Sequence, residues 1–118
     1  MRRLKLAVLL VLAFPALVSA QATGAITGLV RDSTGAVVPG ALVQATNEAT
    51  GQMRDATSGG DGFYTIPLLP PGRYGVTAAY TGFSAARGAV RVVVSETARL
   101  DFRLTVGQGA ETIDVVDP

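Results

Sequence analysis

The chain of 118 residues contains no cysteine, no histidine and no tryptophan, and its single lysine is Lys5. Each absence closes a route. Without Cys there is neither a disulfide nor a thiolate nucleophile. With neither Cys nor His, the ligand sets that zinc favours cannot be assembled, and no Ser-His-Asp or Cys-His arrangement is available. Lys5 lies in a segment expected to be removed, so no amine remains for a Schiff base or for the phosphate-binding lysine of a P-loop. Gly107-x-Gly109 lacks the third glycine and the following helix of a dinucleotide fingerprint, and reads as a linker. No cofactor and no metal are expected.

Acidic residues are missing from the first twenty positions, which hold Arg2, Arg3 and Lys5. The apolar run Leu6 to Val18 follows, with Val18 and Ala20 three and one positions ahead of a cut before Gln21. That is the layout of a secretory signal, and the run is shorter than the roughly 20 apolar residues a spanning helix needs. No Cys follows the cut to accept a lipid anchor. Residues 1–20 are therefore read as a signal peptide, and the mature chain as exported without a transmembrane span. The 98 residues that remain carry seven Arg against nine Asp plus Glu, a net charge of −2. The arginines are scattered, so no nucleic-acid partner is expected. An exported chain without Cys must hold its fold by core burial alone, and about 98 residues suffice for one modest core.

All 14 Gly and all the Thr lie beyond residue 20, and no window shows helical apolar spacing. Ile26, Gly28 and Val30 alternate with Thr27, Leu29 and Arg31 in a first strand that ends at Asp32. Ser33-Thr34-Gly35 and Val38-Pro39-Gly40 break the chain. Ala41, Val43 and Ala45 mark a second strand; the polar stretch Gln52 to Thr57 marks a third, at an edge. A tight turn at Ser58 to Gly62 leads into Phe63 to Ile66, which Pro67 and Pro70-Pro71-Gly72 are expected to end. Tyr74, Val76, Ala78 and Tyr80 alternate in the next strand, and two more follow at Ala89 to Ser95 and Thr97 to Val106. In the last, Leu100, Phe102, Leu104 and Val106 form the expected buried face. The pattern predicts an all-β, seven-stranded antiparallel β-sandwich over residues 21–106, from about seven strands at roughly 8 to 12 residue spacing. Residues 107–118 are read as a linker and a short strand-like tail.

An ordered series of residues carries a resemblance: Gly28-x-Val30-x-Asp32, Val38-Pro39-Gly40-Ala41-x-Val43, Asp61-Gly62-x-Tyr64-x-Ile66, Leu69-Pro70-Pro71-Gly72-x-Tyr74-x-Val76 and Gly82-Phe83. Together they resemble a carboxypeptidase regulatory-like domain, an Ig-like or prealbumin-like β-sandwich. The resemblance makes Gly28, Asp32, Gly40, Asp61, Gly62, Tyr64, Pro71, Gly72, Tyr74 and Gly82 a folding motif and supplies no catalytic residue. It implies that Tyr64 and Tyr74 pack their rings together, with hydroxyls at the rim. The chain is also similar to the copy that opens Oar-like TonB-dependent receptors of the outer membrane, where such a domain precedes a plug and a β-barrel. That context implies the periplasm, the outer membrane or the extracellular space, and a plug, barrel or other envelope protein as partner.

Among polar candidates, Asp32, Asp55, Asp61 and Asp101 fall at turns or on wet faces, where acid–base chemistry is not expected. The Asp61 turn offers too few oxygens for calcium. Sugars are held by stacking on exposed rings, which singles out Phe63, Tyr80 and Phe83 as ligand-contact aromatics and polysaccharide as the alternative partner. The stretch Val90, Val92, Val93 and Val94, with Arg91 as gatekeeper, is read as an interior strand. Glu111 to Val116 could add to a sheet edge. The expectation is a non-catalytic accessory module for protein interaction or spacing at the cell envelope, with carbohydrate binding as the alternative.

Overall fold

The computed structural model describes residues 22–107, so the stretch read as a signal peptide and the tail from 108 onward lie outside the described residues. Nine strands and no helix occur among them: β1 (Gly24–Asp32), β2 (Leu42–Asn47), β3 (Met53–Thr57), β4 (Phe63–Leu69), β5 (Gly72–Ala79), β6 (Phe83–Ser84), β7 (Ala86–Val92), β8 (Thr97–Arg99) and β9 (Phe102–Val106). Alternation places the side chains as the period of 2 requires. In β1 the even-numbered residues Gly24 to Val30 point inward, and in β5 Tyr74, Val76 and Ala78 do.

The strands form two sheets, one ordered β4-β1-β9-β6 with β8 also on β1, the other ordered β3-β2-β5-β7. Ile26, Val30, Tyr64, Ile66, Phe102 and Leu104 of the first sheet meet Val43, Ala45, Tyr74, Val76, Ala78 and Val92 of the second in one core. The all-β sandwich stands, and β3 is an edge strand as its polarity suggested.

Several details depart from the sequence reading. The expected last strand is broken at Leu100-Asp101 into β8 and β9, and both pair parallel with β1, so the sandwich has nine strands and is not wholly antiparallel. The break has a cause: the chain presses its backbone onto Gly28, where any Cβ would overlap the Leu100 carbonyl oxygen and crowd the Tyr64 ring. Leu100 is consequently only half-buried, its side chain lying over Gly88 of β7. Phe102 and Leu104 keep the expected buried face, but Val106, at the end of β9, is 69% exposed.

Strand β4 runs on through Pro67 to Leu69 instead of ending there. It is an edge strand, so the missing N–H takes no bond from a ladder. A register shift between Ile26↔Ile66 and Gly24↔Leu69 absorbs the extra residue. Val90 to Val94 is not an interior strand: β7 stops at Val92 and forms the edge beyond β5, and Val93 and Val94 stand exposed in a turn. Finally, Tyr64 and Tyr74 belong to opposite sheets, and the ring beside Tyr64 is that of Phe102, with centroids 6.1 Å apart. Both hydroxyls are tied to the backbone: Tyr64 Oη donates to the Leu100 carbonyl at 2.5 Å, and Tyr74 Oη to that of Pro70, in the turn between β4 and β5, at 2.7 Å.

Candidate functional site

The loops gather at two poles. At the first pole lie the start of β1, the β4–β5 turn, the Asn47–Gln52 turn and the Val93–Glu96 turn. At the second lie the Asp32–Ala36 turn, Val38 to Gly40, Ser58 to Gly62, Tyr80 to Phe83 and the end of β9.

The second pole is built from side chains that bond their own backbone. Asp32 Oδ1 accepts from the Thr34 amide, the Thr34 hydroxyl and the Ala36 amide, and the Thr34 bonds hold its carboxyl below the usual carboxylate range. Asp61 Oδ1 accepts from the Phe63 amide at 3.1 Å. Gly62 has φ +84° and sits where a Cβ would strike Val37, so this turn admits only glycine. Ser58, buried, accepts from the Ala41 amide at 2.8 Å and donates to the Val38 carbonyl at 2.7 Å. Sequence reading did not single out Ser58, nor the buried Asn47, whose side-chain oxygen accepts from the Ala49 and Thr50 amides at the opposite pole. Neither residue type is distinguishable from a surface loop polar until the fold buries it.

Against this frame Tyr80 and Phe83 meet, ring centroids 6.1 Å apart and tilted by 48°. With Gly40, Leu42, Ala79, Thr81 and Gly82 they line an open groove of about 490 Å³. Leu42 is its unforeseen member. Strand alternation turns it outward, opposite Val43, and it is 42% exposed. The third expected aromatic, Phe63, is not part of the groove. It lies on the outer face of the other sheet, where the Arg99 guanidinium stands 5.5 Å from its ring centroid.

Asp101 occupies that same outer face. It accepts from the Leu29 amide at 2.9 Å and from Arg99 Nε at 3.0 Å. Partial burial pushes its carboxyl up, but the Arg99 and Leu29 bonds outweigh it and the net displacement is downward. Arg31 and Arg103 are register neighbours beside it. Asp55 is exposed on β3. Among the described residues no three His, Cys, Asp or Glu side chains converge on a metal position. Among the described residues the geometry offers an aromatic groove, and Asp32, Asp61 and Asp101 are spent on backbone amides, Asp101 on Arg99 as well.

With these positions fixed, the family can be named. The model of the carboxypeptidase regulatory-like domain matches residues 25–105. The chain belongs to this family. That span takes in every described strand except the first residue of β1 and the last of β9. No curated protein matches the chain. Solved structures share the fold. A minor pilin of Streptococcus agalactiae aligns with TM-score 0.59 at 14% identity, over 78% of this chain and 48% of the pilin. A protein of Pseudomonas aeruginosa described as a putative carbohydrate binding protein aligns with TM-score 0.53 at 16% identity, over 78% of this chain and 97% of that one. The dioxygenase domain of a dioxygenase and carbohydrate-binding protein fusion from a cellulolytic Streptomyces aligns with TM-score 0.58 at 13% identity, over 79% and 86%. The chain spans less than half of the pilin, and identities this low speak for the sandwich alone. In this carboxypeptidase regulatory-like domain the motif residues Gly28, Asp32, Gly40, Asp61, Gly62, Tyr64, Gly72, Tyr74 and Gly82, with Pro71, serve strand, turn and core.

Proposed function

We propose that this carboxypeptidase regulatory-like domain is a non-catalytic accessory module of the cell envelope that spaces or docks its neighbours. One observation carries the reading: the described chain enters the sandwich at one pole, beside Glu96, and leaves it at the other, beside Gly82. Whatever follows residue 107 thereby begins about one strand length from the end at which the mature chain starts, some 30 Å for the nine residues of β1. Asp32, Asp61 and Asp101 are engaged by backbone amides, and Asp101 by Arg99 as well, which supports a non-catalytic reading. The secretory layout of residues 1–20 supports export, to the periplasm, the outer membrane or the extracellular space. The likeness to the N-terminal domain of Oar-like TonB-dependent receptors supports a plug and barrel as the neighbour. Fractionation of cells expressing the full reading frame, with N-terminal sequencing, tests this. The chain should be cut ahead of Gln21 and recovered from the envelope or medium; an uncut cytoplasmic chain refutes it.

The alternative is carbohydrate binding, favoured by the Tyr80–Phe83 groove. The exposed Tyr80 ring, tilted against a Phe83 that is partly buried on the core, lies beside Leu42 and would give a sugar's apolar face a stacking surface. Retention on a polysaccharide column that is lost in Tyr80→Ala and Phe83→Ala, but kept in Phe63→Ala, supports it. No retention across a broad glycan panel removes it.

A further inference from the structure

The outer face of the β3-β2-β5-β7 sheet continues the Tyr80–Phe83 groove. Strand register sets its outward side chains in rows that cross the sheet. Leu42 and Ala79, opposite one another on β2 and β5, belong to the groove itself. The next row is polar throughout: Asp55 on β3, Gln44 on β2, Thr77 on β5 and Arg87 on β7. Beyond it Thr46, Gly75 and Ala89 form a row of short side chains, and Arg73 and Arg91 close the face at the first pole. All of these alternate with the inward residues of their strands and so stand on the solvent side.

The rows make a shallow trough along β5. Ala79, Thr77 and Gly75 are its floor, with Arg87 and Arg91 along the β7 side and Asp55 on the β3 side. Among the described residues Arg73 is ion-paired with Glu48 at 3.3 Å, and neither Arg87 nor Arg91 has such a partner. Four residues apart on one face of β7, these two cations lie roughly 13 Å from each other along the trough. They suit a ligand that carries negative charge at intervals, and Asp55 turns that charge toward β7.

The side chains present select the class of ligand. Strands β2 and β5 are paired on both flanks, so the trough offers an added peptide strand no main-chain partners. Nucleic acid needs a larger cluster of cations than two arginines facing a carboxylate. A chain of sugars finds the exposed Tyr80 ring for its apolar face, Gln44 and Thr77 for its hydroxyls, and two guanidinium forks for carboxylates.

We propose that the trough binds an anionic polysaccharide, a chain of uronate sugars running along β5 from Tyr80 toward the first pole, with its carboxylates on Arg87 and Arg91. The proposal rests on the carbohydrate reading above and narrows it from sugars in general to acidic ones.

The exported chain is passed over columns of alginate and polygalacturonate, and over the same polymers with their carboxyls reduced to alcohols. Retention is expected on at least one uronate polymer, weakening as salt rises, and about tenfold weaker or more on its reduced form. Arg87→Gln and Arg91→Gln should each weaken binding by on the order of tenfold. Gly75→Leu should block the floor and keep the fold, because a Cβ there meets only Glu48 Oε2, at 3.7 Å. Arg31→Gln, on the other sheet, should bind as the parent does, and urea midpoints check that each variant is folded. Equal retention on charged and reduced polymers overturns the selection for acidic sugars. Full retention in the double arginine variant or in Gly75→Leu overturns the trough. Retention on neutral glycans alone, lost in Tyr80→Ala, refutes this proposal and leaves the carbohydrate reading standing; no retention on any glycan refutes both.

Discussion

Replacing Gly28 by alanine adds a single methyl group at the tightest of the described glycine positions. The new Cβ would overlap the Leu100 carbonyl oxygen and crowd the Tyr64 ring. Neither neighbour can swing aside, because the first is main chain and the second is buried in the core beside Phe102. Forcing such a group into a packed site costs about 1 to 3 kcal/mol. The displacement also strains two bonds made by the same residue, Leu100 amide to Thr27 and Tyr64 hydroxyl to the Leu100 carbonyl, at about 1 kcal/mol each. The expected loss is about 3 to 5 kcal/mol, a large part of the roughly 5 to 15 kcal/mol a domain possesses. In urea, with m of about 1 to 2 kcal/mol/M, the midpoint should fall by on the order of 2 M with m unchanged. Gly60→Ala is the control, since nothing lies within 4 Å of its Cβ position, and its midpoint should hardly move. A Gly28→Ala midpoint close to the parent's would mean that the chain does not press on β1 at Leu100, and the account of the strand break would fall with it.

Other outcomes follow from the same geometry. Leu104→Ala, at a fully buried position, should cost about 2 to 5 kcal/mol, while Val106→Ala at its exposed one should stay within about 0.5 kcal/mol; equal losses by denaturant titration would mean that the buried face is wrongly placed. Ser58→Ala leaves the Ala41 amide without its partner in the core, and a loss of about 1 to 3 kcal/mol is expected in thermal or urea unfolding. Burial, then the charge of Asp101, raises the ionisation of Tyr64 far above the ordinary tyrosine value of 10.0. The unfolded chain ionises first, so stability is whole below pH 10 and falls above it. Tyr64→Phe should flatten that alkaline slope, and an unchanged slope would point to another group. Asp32 and Asp101 work in the opposite sense, both held low in the fold. The stability they add is present above the ordinary carboxylate value of 3.8 and drains away as pH falls below it; Asp101→Asn should reduce the acid slope.

Strand positions were legible wherever inward residues were apolar and flanked by Gly or Pro. β1, β2 and β5 follow from alternation and the edge β3 from its polarity, and Tyr64 and Tyr74 from their place beside the turns. What alternation cannot carry is which strand lies next to which. Thr97 to Val106 reads as one uninterrupted strand because its apolar residues keep their period, and nothing local announces a carbonyl pressed on Gly28 some seventy residues earlier. Pro67 misleads for a similar reason, because a proline ends a central strand but not an edge. At the groove, Tyr80 and Phe83 were visible as rings without a core position. Leu42 was hidden because an outward leucine in a regular strand carries no mark of its neighbours, and Phe63 was grouped with the other rings although it lies on the far sheet.

The parallel pairing of β1 with β8 and β9 sets the order of events when the protein is made. Its first strand finds one flank of partners only in residues 96–104, contacts that span about seventy positions of sequence. Loop-closure entropy must be met before such contacts return anything, so folding is late and slow compared with that of a hairpin-built sheet. Until Leu104 has emerged, β1 has an unpaired edge and Val30 lacks its neighbour Phe102. A nascent chain of this design remains open until almost the whole domain exists, which is the state in which a polypeptide can still be threaded through a narrow channel.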